Sequence, residues 1–349
     1  MFTNNSLSGL CKFSFAALLS FLVACEGSKE NTTPKGAFEK GVLIINEGGF
    51  QASNSSLSFY DRSTKTIEND IFRTVNSRTL GDILQSVTVV GSKAFIIVNN
   101  SNKIEIADAN TMKSLAPQID LKQPRYAAFA NGKLYVTEWI NFSVQQGQVS
   151  VIDVNTYKVL KTIAVGKLPE QIFVANNGKL YITNSGGNTI SVINTAIDAV
   201  ETSINVLNNP TNILQDANNN IWVLCAGTSW SAPPLSGGLV RFNPNTPTNQ
   251  VQIPFAGTYG GKLVVNGNKN KLYLSHNGAV WQMDILATTL PTSRFIPRDF
   301  YGLGIDNDGT IYGSIANFSG SSRVIRYSSQ GVALDSVNSG VGTNGFLFR

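Results

Sequence analysis

Lys133-Leu134-Tyr135-Val136-Thr137-Glu138 and Lys179-Leu180-Tyr181-Ile182-Thr183-Asn184 are two copies of one phrase. Each follows a turn and reads as a short apolar strand centred on an aromatic. Looser copies are Lys93-Ala94-Phe95-Ile96-Ile97-Val98, Ile221-Trp222-Val223-Leu224, Lys271-Leu272-Tyr273-Leu274-Ser275 and Thr310-Ile311-Tyr312-Gly313-Ser314. The aromatics at 95, 135, 181, 222, 273 and 312 are 40, 46, 41, 51 and 39 residues apart. A period of that size carried by strands alone predicts a β-propeller.

Working outward from each phrase gives four strands per repeat. In the third repeat Pro124 to Phe129 is an inner strand, Asn131-Gly132 a hairpin turn, Leu134 to Thr137 the second strand, Val149 to Asp153 the third and Val159 to Val165 the outer one. The fourth repeats this from Pro169, with its turn at Asn177-Gly178. The second runs from about Leu84 to Leu121. The fifth begins at Pro210, the sixth near Tyr259 and the seventh near Phe300. Residues 42–70 supply only three strands, and Asn344 to Phe348 supply one without companions. Joined, they complete a seventh sheet and leave no open edge. The expected fold is an all-β, seven-bladed propeller over residues 42–349, closed by pairing of its N- and C-terminal strands.

The N-terminus is a separate object. Lys12 precedes an apolar run from Phe13 to Val23 that ends in Leu22-Val23-Ala24-Cys25. This looks like a bacterial lipoprotein signal over residues 1–24, with Cys25 as the acylated thiol, and it is set apart from the fold. Residues 25–41, rich in Ser, Thr, Lys and Gly, read as a tether with little to bury. Loss of the leader takes Cys11 away and lipid takes Cys25. Cys225 then has no intramolecular disulfide partner and reads as an inert, partly buried thiol.

Of the 349 residues, 14% are charged, and the formal charge of +5 falls to +4 without Lys12. That charge is spread without a basic run, so no nucleic-acid footprint is read. No span of about 20 apolar residues follows the leader, and membrane attachment is expected through the lipid anchor only.

Leu134-Tyr135-Val136-Thr137-Glu138 and Leu180-Tyr181-Ile182-Thr183-Asn184, each followed by a Val-x-Val-Ile-Asp phrase or its near copy Ile190-Ser191-Val192-Ile193-Asn194, resemble the YVTN-repeat family of seven-bladed propellers. The resemblance covers about residues 42–349 and is strongest in the third and fourth blades. With a lipobox in front, the whole is similar to the YncE-like surface lipoproteins of Gram-negative anaerobes. Some of these capture cobalamin beside a TonB-dependent outer-membrane transporter. The resemblance implies an outer-membrane, cell-surface, monomeric propeller that binds cobalamin or another corrinoid as cargo for such a transporter and requires no cofactor of its own.

Binding is expected on the face where inner strands start, because variable loops on a rigid scaffold carry function. Glu138-Trp139-Ile140-Asn141-Phe142, the loop around Trp230, and Ala316-Asn317-Phe318 reach it from the ends of second strands. The crossovers add Arg125, Tyr126, Tyr259, Arg298, Phe300 and Tyr301, and the first blade adds Glu47 and Phe50. Trp139, Phe142, Trp230, Arg125, Tyr126, Tyr259, Tyr301, Phe318 and His276 are the candidate ligand-binding residues. Aromatics with a few polar groups suit a large, flat, partly polar small molecule.

His276 is the single histidine. It reads as a loop residue on a polar surface, and one imidazole cannot build the usual zinc or copper cluster. Asp306-Asn307-Asp308-Gly309 has Ile315 where a calcium loop needs Glu, and aligns with the hairpin turns. No nucleophile elbow, phosphate loop or paired-Cys motif is present. Glu47, Asp82, Glu138 and Glu170 show no acid–base spacing, and no catalytic residue is assigned. A lactonase-type enzyme and an adhesive surface protein binding a glycan or protein stand as the alternative readings.

Overall fold

The computed structural model describes residues 36–228, 233–256 and 260–349. The expected signal segment, Cys25 and most of the expected tether lie outside the described residues. Among the described residues, 27 strands fall into seven antiparallel sheets, with one short helix, Ile71–Asn76. The fold is the expected seven-bladed propeller. Six sheets have four strands. The sixth has three, and a single bridge between Val280 and Ile296 stands where its outer strand would run.

The first blade closes as its sequence implies. Its inner strand is Thr343–Phe348, paired antiparallel to Val42–Asn46, which pairs in turn with Ser56–Asp61. The clasp extends beyond residue 42. Phe38, placed by sequence in the tether, is buried against Phe59 at 5.2 Å between ring centroids. Gly41 and Arg349 exchange backbone hydrogen bonds, and the Arg349 guanidinium donates to Phe38 O and Asn110 Oδ1.

Strand alternation explains the repeat. Successive side chains point to opposite faces of a sheet, and both faces of a blade are covered by neighbours. Seven apolar clusters result, one for each pair of adjacent blades. The recurring aromatic always faces the following blade: Phe95 meets blade three, Tyr135 blade four, Tyr181 blade five, Trp222 blade six, Tyr273 blade seven and Tyr312 blade one. Leu43 holds that place in blade one. The polar tips are satisfied, as buried Tyr and Trp require: the Tyr135 hydroxyl donates to Asp198 at 2.5 Å and Trp222 Nε1 to Asp216 at 2.9 Å.

The Thr after the aromatic has its own task. Thr137 Oγ1 accepts the Tyr126 N–H of its own blade at 3.0 Å and donates to Glu170 O of the next blade at 2.8 Å. Thr183 links Gln171 N to Thr211 O in the same way, and Ser314 links Gly302 N to Thr343 O. One hydroxyl therefore ties two neighbouring inner strands. Thr137→Val keeps the shape but leaves a buried N–H and carbonyl without that partner. The expected cost is about 1–3 kcal/mol, read as a lower urea midpoint, against no change for the exposed control Thr202→Val.

Thr137 and Thr183 sit opposite β-bulges. Six of the seven inner strands shift register near their start, at Gln85, Arg125-Tyr126, Glu170-Gln171, Thr211, Gly261 and Asn344. A bulge re-aims side chains, and here the extra residues lie where the strands meet the central channel. Asn131-Gly132 turns with both φ positive, at 45° and 75°, and Asp306 to Gly309 forms the expected hairpin, with Asp306 paired to Arg62 at 2.8 Å.

Candidate functional site

The face where inner strands begin carries two hollows and the mouth of the channel. The larger hollow, about 760 Å³, lies over blades three to five. Its wall is built from the long loop of blade three. Trp139 stacks on the Arg125 guanidinium, 3.9 Å from its ring centroid, and meets Phe142 edge-on at 5.1 Å. Phe142 is 63% exposed. The Trp139 indole N–H is buried without an acceptor among the described residues. Asn208, Asn209, Ser185 and Lys167 add polar groups around the rim.

Arg125 is less available than the sequence reading supposes. Its Nε and Nη2 grip both Glu170 oxygens, at 2.9 and 2.6 Å, with both side chains nearly buried. Burial works against the guanidinium charge, but the Glu170 carboxylate more than offsets it and holds the pKa up. Arg125 thus supports the Trp139 face from behind.

The second hollow, about 470 Å³, lies over blades six and seven. Tyr301 and Phe318 pack edge-on there at 5.4 Å, both about half exposed. His276 lines it too, but its position needs correction. It is the last residue of the strand Lys271–His276, buried and stacked on Phe255 at 4.3 Å, not a loop residue on a polar surface. The strand runs one residue further than the sequence suggests because the turn to the next is only Asn277-Gly278, with both φ positive.

Tyr126 is the other correction. It faces the channel, where its hydroxyl accepts from Gln85 Nε2 at 2.8 Å; burial, then the nearby Glu170 charge, pushes its pKa well up. The structure therefore brings Arg125, Trp139 and Phe142 into one hollow, Tyr301, Phe318 and His276 into another, and Tyr126 into neither. Trp230 and Tyr259 lie outside the described residues. Cys225 is fully buried, which raises its thiol pKa.

The four carboxylates are all engaged. Glu138 accepts from Lys122 N, Gln148 and Ser150, and Asp82 from Gln51 N and Asn100. Glu47 is held at the channel mouth by the Tyr301 hydroxyl at 2.8 Å and Asn344 Nδ2 at 2.7 Å. Burial and the Glu47 charge raise the pKa of Tyr301.

Sequence reading missed the channel. Register aligns the residues of the seven inner strands in rings. Just below the mouth, blades three to six contribute Tyr126, Gln171, Asn212 and Lys262, whereas blades seven, one and two contribute Gly302, Gly345 and Ser86. One half of the ring is polar and long, the other nearly bare. Laying the inner strands over one another at Pro124, Pro169 and Pro210, each the first residue of its strand, would have exposed this position.

Comparison with known proteins agrees with the fold. The chain is similar to a quinoprotein alcohol dehydrogenase-like protein from Bacteroides thetaiotaomicron, with 16% identity, 89% of this chain and 78% of that chain covered, and a TM-score of 0.68. A functionally unknown protein from Desulfotomaculum acetoxidans superposes with 14% identity, 88% and 98% coverage and a TM-score of 0.65. Hydrazine synthase of Kuenenia stuttgartiensis gives 14%, 77% and 92%, and 0.57. At such identities the likeness is one of fold alone. No curated protein matches the chain in sequence. A family model matches residues 40–310, most of the propeller, and the chain belongs to that family, described as a domain of unknown function, DUF5074.

Proposed function

We propose that this propeller is a non-enzymatic binding protein whose upper face takes a large, flat, partly polar ligand. The observation that carries the reading is the exposed Phe142 beside the Arg125-backed Trp139, in a hollow of about 760 Å³. An aromatic exposed to that degree beside the Trp139 ring makes an apolar patch that a bound ligand would cover. A corrinoid is the ligand class favoured by the resemblance of the Tyr135 and Tyr181 phrases to YVTN-repeat propellers and by the lipobox ending at Cys25. On that reading the protein sits lipid-anchored on the outer membrane, facing outward, and hands its cargo to a TonB-dependent transporter.

Isothermal titration of the purified protein with cyanocobalamin tests this. One-to-one binding is expected, and Trp139→Ala should weaken it by about 1–3 kcal/mol. Absence of heat and of any thermal shift removes the corrinoid. Wild-type affinity in the Trp139 variant removes the blade-three hollow as its site.

A further inference from the structure

The polar half of the channel ring is unfinished. The channel encloses about 300 Å³ along the propeller axis and is lined from every blade. Lys262 stands in it with no carboxylate at ion-pairing distance among the described residues. Asn344 is nine-tenths buried, and both acceptors of its amide nitrogen, Glu47 Oε1 and Gln85 O, fix its orientation. Asn344 lines the channel, and its Oδ1 is a buried acceptor with no donor among the described residues. Asn212 Oδ1 is equally buried and equally without a partner among the described residues. The Tyr126 hydroxyl already accepts from Gln85 and has its own proton to give.

Across the ring from Tyr126, Gln171, Asn212 and Lys262 the lining is bare. A Cβ at Gly345 would meet only Ile45, at 3.7 Å, and its φ lies outside the left-handed region, so the glycine keeps space open and is not required by the backbone. Ile45, Leu303 and Phe346 give this side an apolar lining. Buried polar groups are ordinarily paired, and exceptions call for an occupant.

We propose that the axial channel is a second ligand site, separate from the aromatic face, for a small hydroxy-monocarboxylate. The carboxylate lies on the Lys262 ammonium and accepts from the Tyr126 hydroxyl. The ligand hydroxyl donates to Asn344 Oδ1 or Asn212 Oδ1. A short alkyl group fills the space over Gly345. One unpaired cation matches one carboxylate; a phosphate dianion finds no second, because Arg125 is held by Glu170. Burial lowers the pKa of Lys262, with the Glu47 and Glu170 charges opposing the shift, and a bound carboxylate relieves that cost.

L-lactate is the probe, with lactamide, propionate and inorganic phosphate as comparisons. Calorimetry on the purified protein should show lactate binding that propionate matches only weakly and the other two do not match. Lys262→Gln, which removes the charge, and Gly345→Val, which fills the space and leaves the lysine, should each lower lactate affinity by about tenfold or more, at least 1.4 kcal/mol. In the wild-type protein, lactate should slow acetylation of Lys262 relative to Lys179, read by mass spectrometry. No lactate heat in the wild type, equal binding by Lys262→Gln, or preference for phosphate overturns the proposal; water then fills the channel. Corrinoid titration of the same variants keeps this outcome distinct from that of the aromatic face, which neither substitution touches.

Discussion

Removing residues 344–349 is expected to abolish cooperative folding of the whole ring. The segment is five-sixths of the inner strand of blade one, and its pairing with Val42–Asn46 is the β-ladder that joins the two ends of the propeller. Phe346 and Phe348 pack on Tyr312 of blade seven at 5.7 and 5.3 Å, so the loss strikes a blade–blade interface as well as a sheet. Burying a side chain such as Phe or Leu contributes about 1.5–3 kcal/mol. These are partly buried, so the lower end applies. Phe346, Leu347 and Phe348 together then approach the bottom of the about 5–15 kcal/mol that separates folded from unfolded domains. The truncation also uncovers the edge of Val42–Asn46, a fully buried strand, and such an edge recruits other chains. Circular dichroism and size-exclusion chromatography should show a broad, early transition and aggregates, while Phe346→Ala alone melts cooperatively at a lower temperature. A truncated protein that melts as the wild type does would mean that the ring is not held by this clasp.

The closure and the blades were legible because their signals are local. Asn131-Gly132 fixes a hairpin within two residues, and an aromatic that must face the next blade repeats at every interface. Phe38 was not legible as core: one aromatic among Gly, Lys and Thr has no periodicity to mark its burial. The loop residues Trp139 and Phe142 were identified by type and place, and the structure joins them to Arg125. The channel escaped for a different reason. Which inner-strand residue enters it depends on a bulge, which is a mismatch of two residues against one across strands. Nothing in Gly260-Gly261-Lys262 announces that mismatch. The bulge of blade three likewise separates Arg125, which turns toward the hollow, from Tyr126, which turns into the axis, though the two are neighbours in sequence.

Glu170→Ala is expected to destabilise the protein by about 3–5 kcal/mol, because it leaves a desolvated guanidinium without its carboxylate. Arg125 and Glu170 come from adjacent inner strands, and their side chains are 12% and 11% exposed. The ion pair thus spans blades three and four where their bulges coincide. Breaking a buried pair is expensive, whereas replacing both partners by apolar groups of similar volume is often close to neutral. The double variant Arg125→Met/Glu170→Met should therefore recover most of the loss, and a double-mutant cycle from denaturant midpoints should show strong coupling. If Glu170→Ala costs no more than an exposed pair, under about 1 kcal/mol, water reaches the guanidinium and the pair is not a buried one. Ligand binding by the double variant carries the functional consequence. The thioether side chain introduced by Arg125→Met would still back the Trp139 ring, but without a cation beneath it. A ligand held by the apolar face of Trp139 should bind the double variant nearly as well as the wild type. A ligand that needs the polarised, cation-backed ring should lose affinity even though stability returns.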